Sequence, residues 1–588
     1  MAAQSWAADF ETTGPQDYAI DGYVRVYLWH ARNLYTDDEA LGYDVESFIL
    51  FAQRHDVKVV WFHNLKFDGS FILNKVLRNG WERSPKQIPK HTTYDLLVTD
   101  TGQWMDMKLS FGDHVVTIKD SAKKFPGMSL EAIAREYGIE GKADLDVVKR
   151  RGPDYMPGPE EIERVKGDTR ILKVAMRDLM DQGMTALTMA SDAKRYYQSM
   201  WNSSFSSDYK ARQAWRYAFP ELTPEEDEFV RAAFKGGWTW VNPLHRFATL
   251  RQIFVYDVNS MYPDKMRNCV LPIGRPWHVK QPREGDLYVV HFDAIFELKP
   301  GHFPTIQAKH SFRNAEAEYL TSSHGEYMHL AMTNIDYELF HDQYDVVSEQ
   351  NHDYYTFRGV RGLFDEYIDH WMAEKVAAKK AGDKVGEKRA KRFLNSLYGK
   401  TGENPKKLSK EPYLDEDGVT RWRTVETDGS AWYLPIAVFI TSYARDQVIR
   451  TAQAFGDDFI YADTDSVHAL NGPSHHDQVD IDHTALGKWD LESVSMEGRY
   501  LRPKAYIHRY EFELRNWRPL DIKKVSPLEI KLGGAPDSCK ANITWENFKP
   551  GASFKGKLAG CQVEGGYLLK ETTYNVNIHT EADYGIQC

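Results

Sequence analysis

The sequence predicts a mixed α/β (α+β multidomain) chain of two to four domains, and three observations carry that reading. A chain of 588 residues with 42% hydrophobic content can bury several cores, whereas a single core stops growing at about 250–300 residues. Segments that alternate with period two, such as SWAADFETTG near the start and YVRVYLWHAR at 23–32, are interleaved with segments whose apolar residues recur at helical spacing. Composition changes around 180–197, and a strongly basic helical pair follows a strand-like stretch near 362. Charged residues make up 27% and aromatics 13%, a globular rather than a disordered balance. The net charge of −11 argues against a protein that simply coats nucleic acid. Local basic channels beside acidic sites stay compatible with it, because steering follows the local field.

The four cysteines, Cys269, Cys539, Cys561 and Cys588, are widely spaced and form no CxxC pair. A disulfide framework or zinc knuckle is not predicted, and a reducing compartment is. The N-terminus lacks the basic and apolar runs of a signal peptide. The longest apolar runs, such as YLPIAVFI at 433–440, are far too short to span a membrane. A cytoplasmic location is expected.

In the first strand, Asp9 and Glu11 are an i, i+2 acidic pair and therefore share a face. The run VKVVWFHNLKFDGSFIL at 57–73 reads as a strand feeding a helix, with Asn64 and Asp68 at the junction. Capping of the helix is the plain alternative for Asp68, since the helix dipole favours a carboxylate there. VVTIKDSAKKFP at 115–126 is a further strand ending at Asp120. The segment 157–183 is a long helix with Pro159 in its first turn and an apolar stripe through Ile162, Val165, Leu172 and Leu179. Asp168 borders that stripe, and an acid tilted toward a core is either paired or liganded. A salt bridge with Arg164, one turn earlier, is the alternative. Asp9, Glu11, Asp68 and Asp168 together suit a two-metal nuclease centre.

Beyond 190, KGGWTWVNP at 235–243 joins a glycine turn to aromatics. RQIFVYDVNSMYP at 251–263 reads as an apolar strand ending in Asp257, a tight turn, and a helix carrying Tyr262. Strand-end acids are where layered α/β folds place chemistry, although a helix cap fits Asp257 too. After an insertion of more than a hundred residues comes the helical pair at 362–402. Between positions 371 and 410 there are 12 Lys/Arg against 4 Asp/Glu. Lys388, Lys391, Asn395 and Tyr398 share one face of the second helix, while Phe393, Leu394 and Leu397 take the other. A solvated face explains such a stripe; so does a site for a triphosphate and a stacked base.

YADTDS at 461–466 reads as a hairpin crest with Asp463 and Asp465 on one face of extended backbone. Two such carboxylates repel unless a cation lies between them, and a solvated turn is the competing explanation. In GRYLRPKAYIHRYEF at 498–512, Lys504 and Tyr506 are expected on one strand face beside Arg502, either as an ordinary exposed strand or as a hold on a nucleic-acid backbone. The segment 543–576 is a small strand-rich module.

Taken in order, DFET, HNLKFDGSFIL, the acid-bearing helix, DVNSMYP, KRFLNSLYG, YADTDS and KAY resemble the family B DNA polymerases with a fused 3′–5′ exonuclease, over nearly the whole chain. The two insertions resemble those of the protein-primed branch. The resemblance implies an RNase H-like exonuclease domain at 1–189 and a right-hand polymerase domain at 190–588. Within the latter it implies a palm at about 190–268 and 431–540, a first insertion at about 269–362, fingers at about 363–402, a second insertion at about 403–430 and a thumb at about 541–588.

It further implies that Asp9, Glu11, Asp68 and Asp168 are exonuclease metal acids, with Lys142 stabilising phosphate charge and Asp144 beside it, and that Asn64 and Phe67 hold the single-stranded 3′ end. Asp257 and Asp465 resemble the polymerase metal ligands, with the Val258 carbonyl as an extra ligand and Asp463 auxiliary. Tyr262 resembles the gate against a ribose 2′-hydroxyl. Lys375, Lys391, Asn395 and Tyr398 resemble the nucleotide-binding face, Lys504 and Tyr506 the primer-strand motif, and Phe234, Gly236 and Gly237 the DNA-binding domain junction.

The implied cofactors are two Mg²⁺ ions per site, with Mn²⁺ able to substitute. The implied partners are template and primer DNA, dNTPs and a terminal protein primer, for a monomer working in the host cytoplasm if phage-encoded and giving processive, strand-displacing synthesis with proofreading. A family B polymerase extending ordinary primers, and a catalytically silent DNA-binding relic, are the alternatives. Two positions depart from the family pattern: Arg164 stands where a tyrosine is usual, and Phe234 opens a motif that usually begins with tyrosine.

Overall fold

A computed structural model describes residues 4–84, 91–140, 150–308, 318–429, 431–509 and 528–576. Two large sheets organise them, each placing acids at strand ends. The N-terminal sheet has eight strands, in the order Glu39–Gly42, Val26–Asn33, Ser5–Thr12, Val59–Phe62, Val115–Asp120, Trp104–Phe111, His91–Val98 and Glu82–Arg83. Ser5–Thr12 runs antiparallel to Val26–Asn33 and parallel to Val59–Phe62. Its period-two pattern sorts its two faces. Trp6, Ala8 and Phe10 join the core with Phe48, Phe51 and Phe71 from the helices Val45–Ala52 and Leu65–Arg78. Ala7 packs on the opposite face with Ile171 and Leu172 of the helix Pro159–Asp181. Asp9 and Glu11 follow Ala7 by two and four residues, so they point toward that helix.

The second sheet has seven strands, in the order Leu528–Leu532, Ala505–Arg509, Trp489–Arg502, Leu250–Val258, Ser466–Ala469, Phe459–Asp463 and Thr239–Val241. The apolar run at 433–440 belongs to a 22-residue helix, Leu434–Phe455, whose Ala444, Val448, Ile449, Ala452 and Phe455 pack into one core with Tyr256, Phe459 and Val467 of this sheet. Its near-continuous burial explains the length of the apolar run without a membrane. Among the described residues no helix is long and apolar enough to cross one. Cys269, Cys539 and Cys561 are free thiols.

Residues 271–360 form a four-stranded sheet in the order Leu271–Val279, Tyr344–Val360, Leu287–Leu298 and Met328–Thr333, with the helix Asn334–Gln343 against it. The basic segment folds as the helices Asp365–Ala381 and Lys384–Thr401, which meet through Tyr367, Trp371, Phe393 and Leu397. Two hairpins, Lys406–Leu414 with Thr420–Asp428 and Ser553–Val563 with Gly566–Asn575, reach back to the helix Leu65–Arg78. Arg78 donates to the Gly418 carbonyl at 3.3 Å and to Glu564 Oε1 at 2.6 Å, so one side chain joins both hairpin tips to the N-terminal sheet.

Candidate active sites

The N-terminal sheet and its long helix bring three acids together. Oxygen atoms of Asp9, Glu11 and Asp168 all lie within 4.8 Å of one another. Asp168 is 1% exposed, on the helix face turned to the strand. Asp68, in the first turn of Leu65–Arg78, accepts a hydrogen bond from the Phe10 amide at 3.2 Å, between Asp9 and Glu11 in sequence. Its carboxylate thus reaches the neighbouring strand, and the capping position belongs to Asn64, held at φ 66° with its amide donating to Asp120 Oδ1 at 2.9 Å. Phe67 lies edge-on to Phe71 and to Tyr567 of the C-terminal hairpin. Lys142 and Asp144 lie outside the described residues. Arg164 Nε donates to Glu11 Oε1 at 2.9 Å, where the strand face and the helix face meet.

On the second sheet, Asp257 lies directly opposite Ser466, next in sequence to Asp465. The Val258 amide donates to the Asp465 carbonyl at 2.8 Å, which fixes the two strand ends. Burial, then Asp465 and Glu492, push the Asp257 carboxyl up to about 7. Burial also raises Asp465, with Asp463 adding to it, while Lys391 opposes both shifts. Asp257, Asp463 and Asp465 line a cleft of about 810 Å³ together with Lys504, Tyr506 and Glu492.

Two expectations from the sequence need correcting. Asp463 and Asp465 do not share a strand face. Phe459–Asp463 ends at Asp463, and the turn takes Thr464 to φ 65°, so the backbone between the two acids is not extended, while both still line one cleft. Asp463 accepts from Lys504 Nζ at 2.7 Å and from Thr239 Oγ1 at 3.1 Å, whereas Asp465 stays with Asp257. Lys504, likewise, is not on a strand face with Tyr506. It sits in the turn between Trp489–Arg502 and Ala505–Arg509 at φ 57°, with its amide donating to Tyr461 Oη at 3.0 Å. Tyr506 stacks on Tyr500.

The second basic helix brings Lys391 and Tyr398 close enough to the cleft acids to interact electrostatically with them. Tyr398 stacks on Tyr262 with ring centroids 4.0 Å apart, and burial raises both hydroxyls. Lys391 and Asn395 are exposed on the same helix. Burial lowers Lys375, as does Lys391 nearby. Lys388 instead turns to the N-terminal unit, where it and Arg392 both pair with Glu136. Gly237 lies against the hairpin of Phe459–Asp463 and Ser466–Ala469: a Cβ there would sit 2.8 Å from Thr464 Cγ2, and the Thr464 amide donates to the Trp238 carbonyl at 2.8 Å. Phe234 presses its ring on Gly402, just after the second basic helix.

Two residues escaped the sequence reading. Arg445, buried in the Leu434–Phe455 helix, donates to the carbonyls of Lys235 and Gly236 at 2.8 Å each and pairs with Asp336. The signal was a single arginine inside an apolar helix. Glu492 lines the cleft, and its i, i+2 spacing from Asp490 was the same pattern that marked Asp9 and Glu11.

Asp9, Glu11 and Asp168 offer converging carboxylate oxygens, and Asp257 and Asp465 are coupled acids in the second cleft; carboxylate oxygens of this kind suit Mg²⁺ or Mn²⁺ rather than a softer ion. The arrangement fits two-metal phosphoryl chemistry, in which divalent cations stabilise attacking and leaving oxygens.

Residues 159–482 match the family described as DNA polymerase type B, organellar and viral. The chain is 34% identical to the DNA polymerase of Bacillus phage phi29 over 98% of its own length and 99% of that protein. It is 32% identical to the DNA polymerase of Streptococcus phage Cp-1 over the same shares. Its structure superimposes on phi29 DNA polymerase complexed with primer-template DNA and incoming nucleotide substrates with a TM-score of 0.86, at 32% identity, covering 97% of this chain and 100% of that one.

Proposed function

Since the chain belongs to the organellar and viral type B DNA polymerases, we propose that it copies DNA from a protein primer and edits its product at a second centre. It is a DNA-directed DNA polymerase, and the family works with divalent cations. The observation that carries the finer reading is that one chain holds two acid clusters on two different sheets.

In the synthetic centre, on a palm built around the seven-stranded sheet, Asp257, Asp465 and the Val258 carbonyl would hold two Mg²⁺ ions, with Mn²⁺ able to substitute. Bound there, such ions acidify a primer 3′-hydroxyl and neutralise charge on the leaving pyrophosphate. Lys375, Lys391 and Asn395, on the fingers, receive the triphosphate of an incoming dNTP. Ammonium groups there stabilise charge that develops on the phosphates. Lys504, tied to Asp463, and Tyr506 guide the primer strand. In the editing centre, Asp9, Glu11, Asp68 and Asp168 hold the second pair of ions, and Asn64 and Phe67 seat the single-stranded 3′ end. The family likeness assigns Lys142 and Asp144 to the same centre. Every acid of both centres comes from one chain, which supports a monomer, and the host cytoplasm is the setting for a phage-encoded copy.

Tyr262, stacked on Tyr398 and within electrostatic reach of Asp465, is proposed to exclude a ribose 2′-hydroxyl. Tyr262→Val should raise ribonucleotide incorporation relative to deoxyribonucleotide by about 10–100-fold, the scale set by one steric contact. Single-nucleotide insertion kinetics would measure the ratio, and an unchanged ratio would remove Tyr262 from this role. Arg164 neutralises part of Glu11, so Arg164→Ala should lower the divalent-cation concentration for half-maximal 3′ degradation by about tenfold, the worth of one charge-assisted hydrogen bond. A metal titration of single-strand degradation reads this directly, with no shift as the contrary result.

Protein priming is tested by offering the chain its replicon's terminal protein, a template carrying the replication origin, and labelled dNTP. Covalent transfer of the first nucleotide to a protein hydroxyl supports the reading. Efficient extension of nucleic-acid primers with no transfer to protein would favour an ordinary primer-extending enzyme.

A further inference from the structure

On the four-stranded sheet, apart from both acid clusters, two histidine rings face each other. In register, His291 on Leu287–Leu298 opposes Ala331, and Asp293 opposes His329 on Met328–Thr333. The histidines are therefore diagonal neighbours on one sheet face. His291 Nδ1 and His329 Nε2 are 3.3 Å apart. The outer nitrogen of each ring is already committed. His291 Nε2 donates to the Phe229 carbonyl at 2.9 Å, and His329 Nδ1 donates to Asp293 Oδ1 at 3.0 Å. A carbonyl and an ionised carboxylate can only accept, so both outer nitrogens carry the proton. Asn351 and then His329 hold the Asp293 carboxyl below the usual carboxylate range.

In the neutral rings the two inner nitrogens then present lone pairs to each other. That arrangement is repulsive unless a positive species lies between them, either a proton or a metal ion. Several features favour the metal. Two nitrogens at the usual zinc distance from one tetrahedral ion stand roughly 3.3 Å apart. A carboxylate or carbonyl on the far nitrogen of each ring is the support that metal-ligating histidines characteristically have. Phe229 also stacks on the His291 ring at 3.7 Å and fixes its plane. Asp353, directly opposite His291 in the neighbouring strand pair, is engaged by His278, so the two histidines supply the protein ligands.

We propose that His291 Nδ1 and His329 Nε2 ligate a borderline transition-metal ion of the Zn²⁺ or Cu²⁺ class, at a site separate from the oxygen-only Mg²⁺ centres. Imidazole nitrogens select such ions, and Mg²⁺ does not compete for them. The ion would clip two strands of the sheet together, and through Phe229 would also steady the helix Pro224–Ala232 that packs beside it.

The test uses the full-length chain, freed of metal, titrated with Cu²⁺ in excess Mg²⁺ and followed by electron paramagnetic resonance. One equivalent should bind with a hyperfine pattern from two imidazole nitrogens, and Zn²⁺ should displace it. His329→Ala should remove the pattern and weaken binding at least 100-fold. Asp293→Asn, which keeps both ligands, should weaken it about 10–100-fold, the usual cost of losing a supporting acceptor. His302→Ala, at a histidine outside the pair, should change nothing. Metal-free melting of each variant, compared with wild type, separates lost ligation from lost folding. A wild type without a two-nitrogen signal, or a folded His329→Ala that binds Cu²⁺ as tightly as wild type, would overturn the proposal and leave a shared proton as the species between the rings.

Discussion

Asp465→Ala is expected to lower templated synthesis by on the order of 10³-fold or more while leaving 3′ degradation of single strands close to wild type. The scale is that of removing one electrostatic contact to a developing charge, which typically costs about 10²–10³ in rate, and a metal ligand should sit at the upper end. The geometry makes Asp465 the telling position. It stands at the end of the catalytic hairpin with its carbonyl bonded to the Val258 amide, beside Asp257, whose carboxyl is pushed up to about 7 by burial, Asp465 and Glu492. Two acids destabilised in this way gain from a bound cation, and removing one leaves the other with half a site. Asp463→Ala should cost less, because Asp463 is engaged by Lys504 and Thr239 and acts by holding the Lys504 turn. Primer extension under single-turnover conditions measures both. Equal losses for the two variants would contradict the ranking.

The double variant Asp9→Ala with Glu11→Ala should produce the opposite split. Removing two of the three acids whose oxygens converge within 4.8 Å should abolish 3′ degradation, by on the order of 10³-fold, with extension retained. Folding should survive, since the core of that strand is built by Trp6, Ala7, Ala8 and Phe10 rather than by the acids. The substitution also strips Arg164 of Glu11, so the comparison should include Arg164→Ala alone to separate loss of metal acids from loss of the ion pair. Degradation of a labelled single strand at saturating Mg²⁺ reads the effect. Undiminished degradation by the double variant would move the nuclease elsewhere in the chain.

Much of this architecture is legible in sequence because the signals are local. Alternation in SWAADFET put Asp9 and Glu11 on one face, and the helical stripe from Ile162 to Leu179 set Asp168 at its border; the long helix and strand meet there as those periods require. The end of the apolar strand at Asp257 was equally local. What failed was turn conformation. Thr464 and Lys504 adopt φ of 65° and 57° without being glycine, so period-two spacing does not carry across them, although Asp463, Asp465, Lys504 and Tyr506 all line one cleft. Arg445 and Glu492 were missed because their roles arise only when distant segments meet: Arg445 with Lys235 and Asp336, Glu492 with Asp257. The join made by Arg78 between two hairpins more than 140 residues apart in sequence has no local signature either.

We propose that one chain carries two separable, divalent-metal-dependent centres, one building DNA and one trimming it. A single experiment tests it most directly. A 5′-labelled primer on a longer template is incubated with the full-length protein and Mg²⁺, with and without dNTPs, beside the Asp465→Ala protein and the Asp9→Ala, Glu11→Ala protein. The wild type should lengthen the primer when dNTPs are present and shorten it when they are absent, with both reactions stopped by chelation. Asp465→Ala should only shorten, and the double variant only lengthen. Loss of both reactions in either folded variant, or retention of both, would contradict two independent centres.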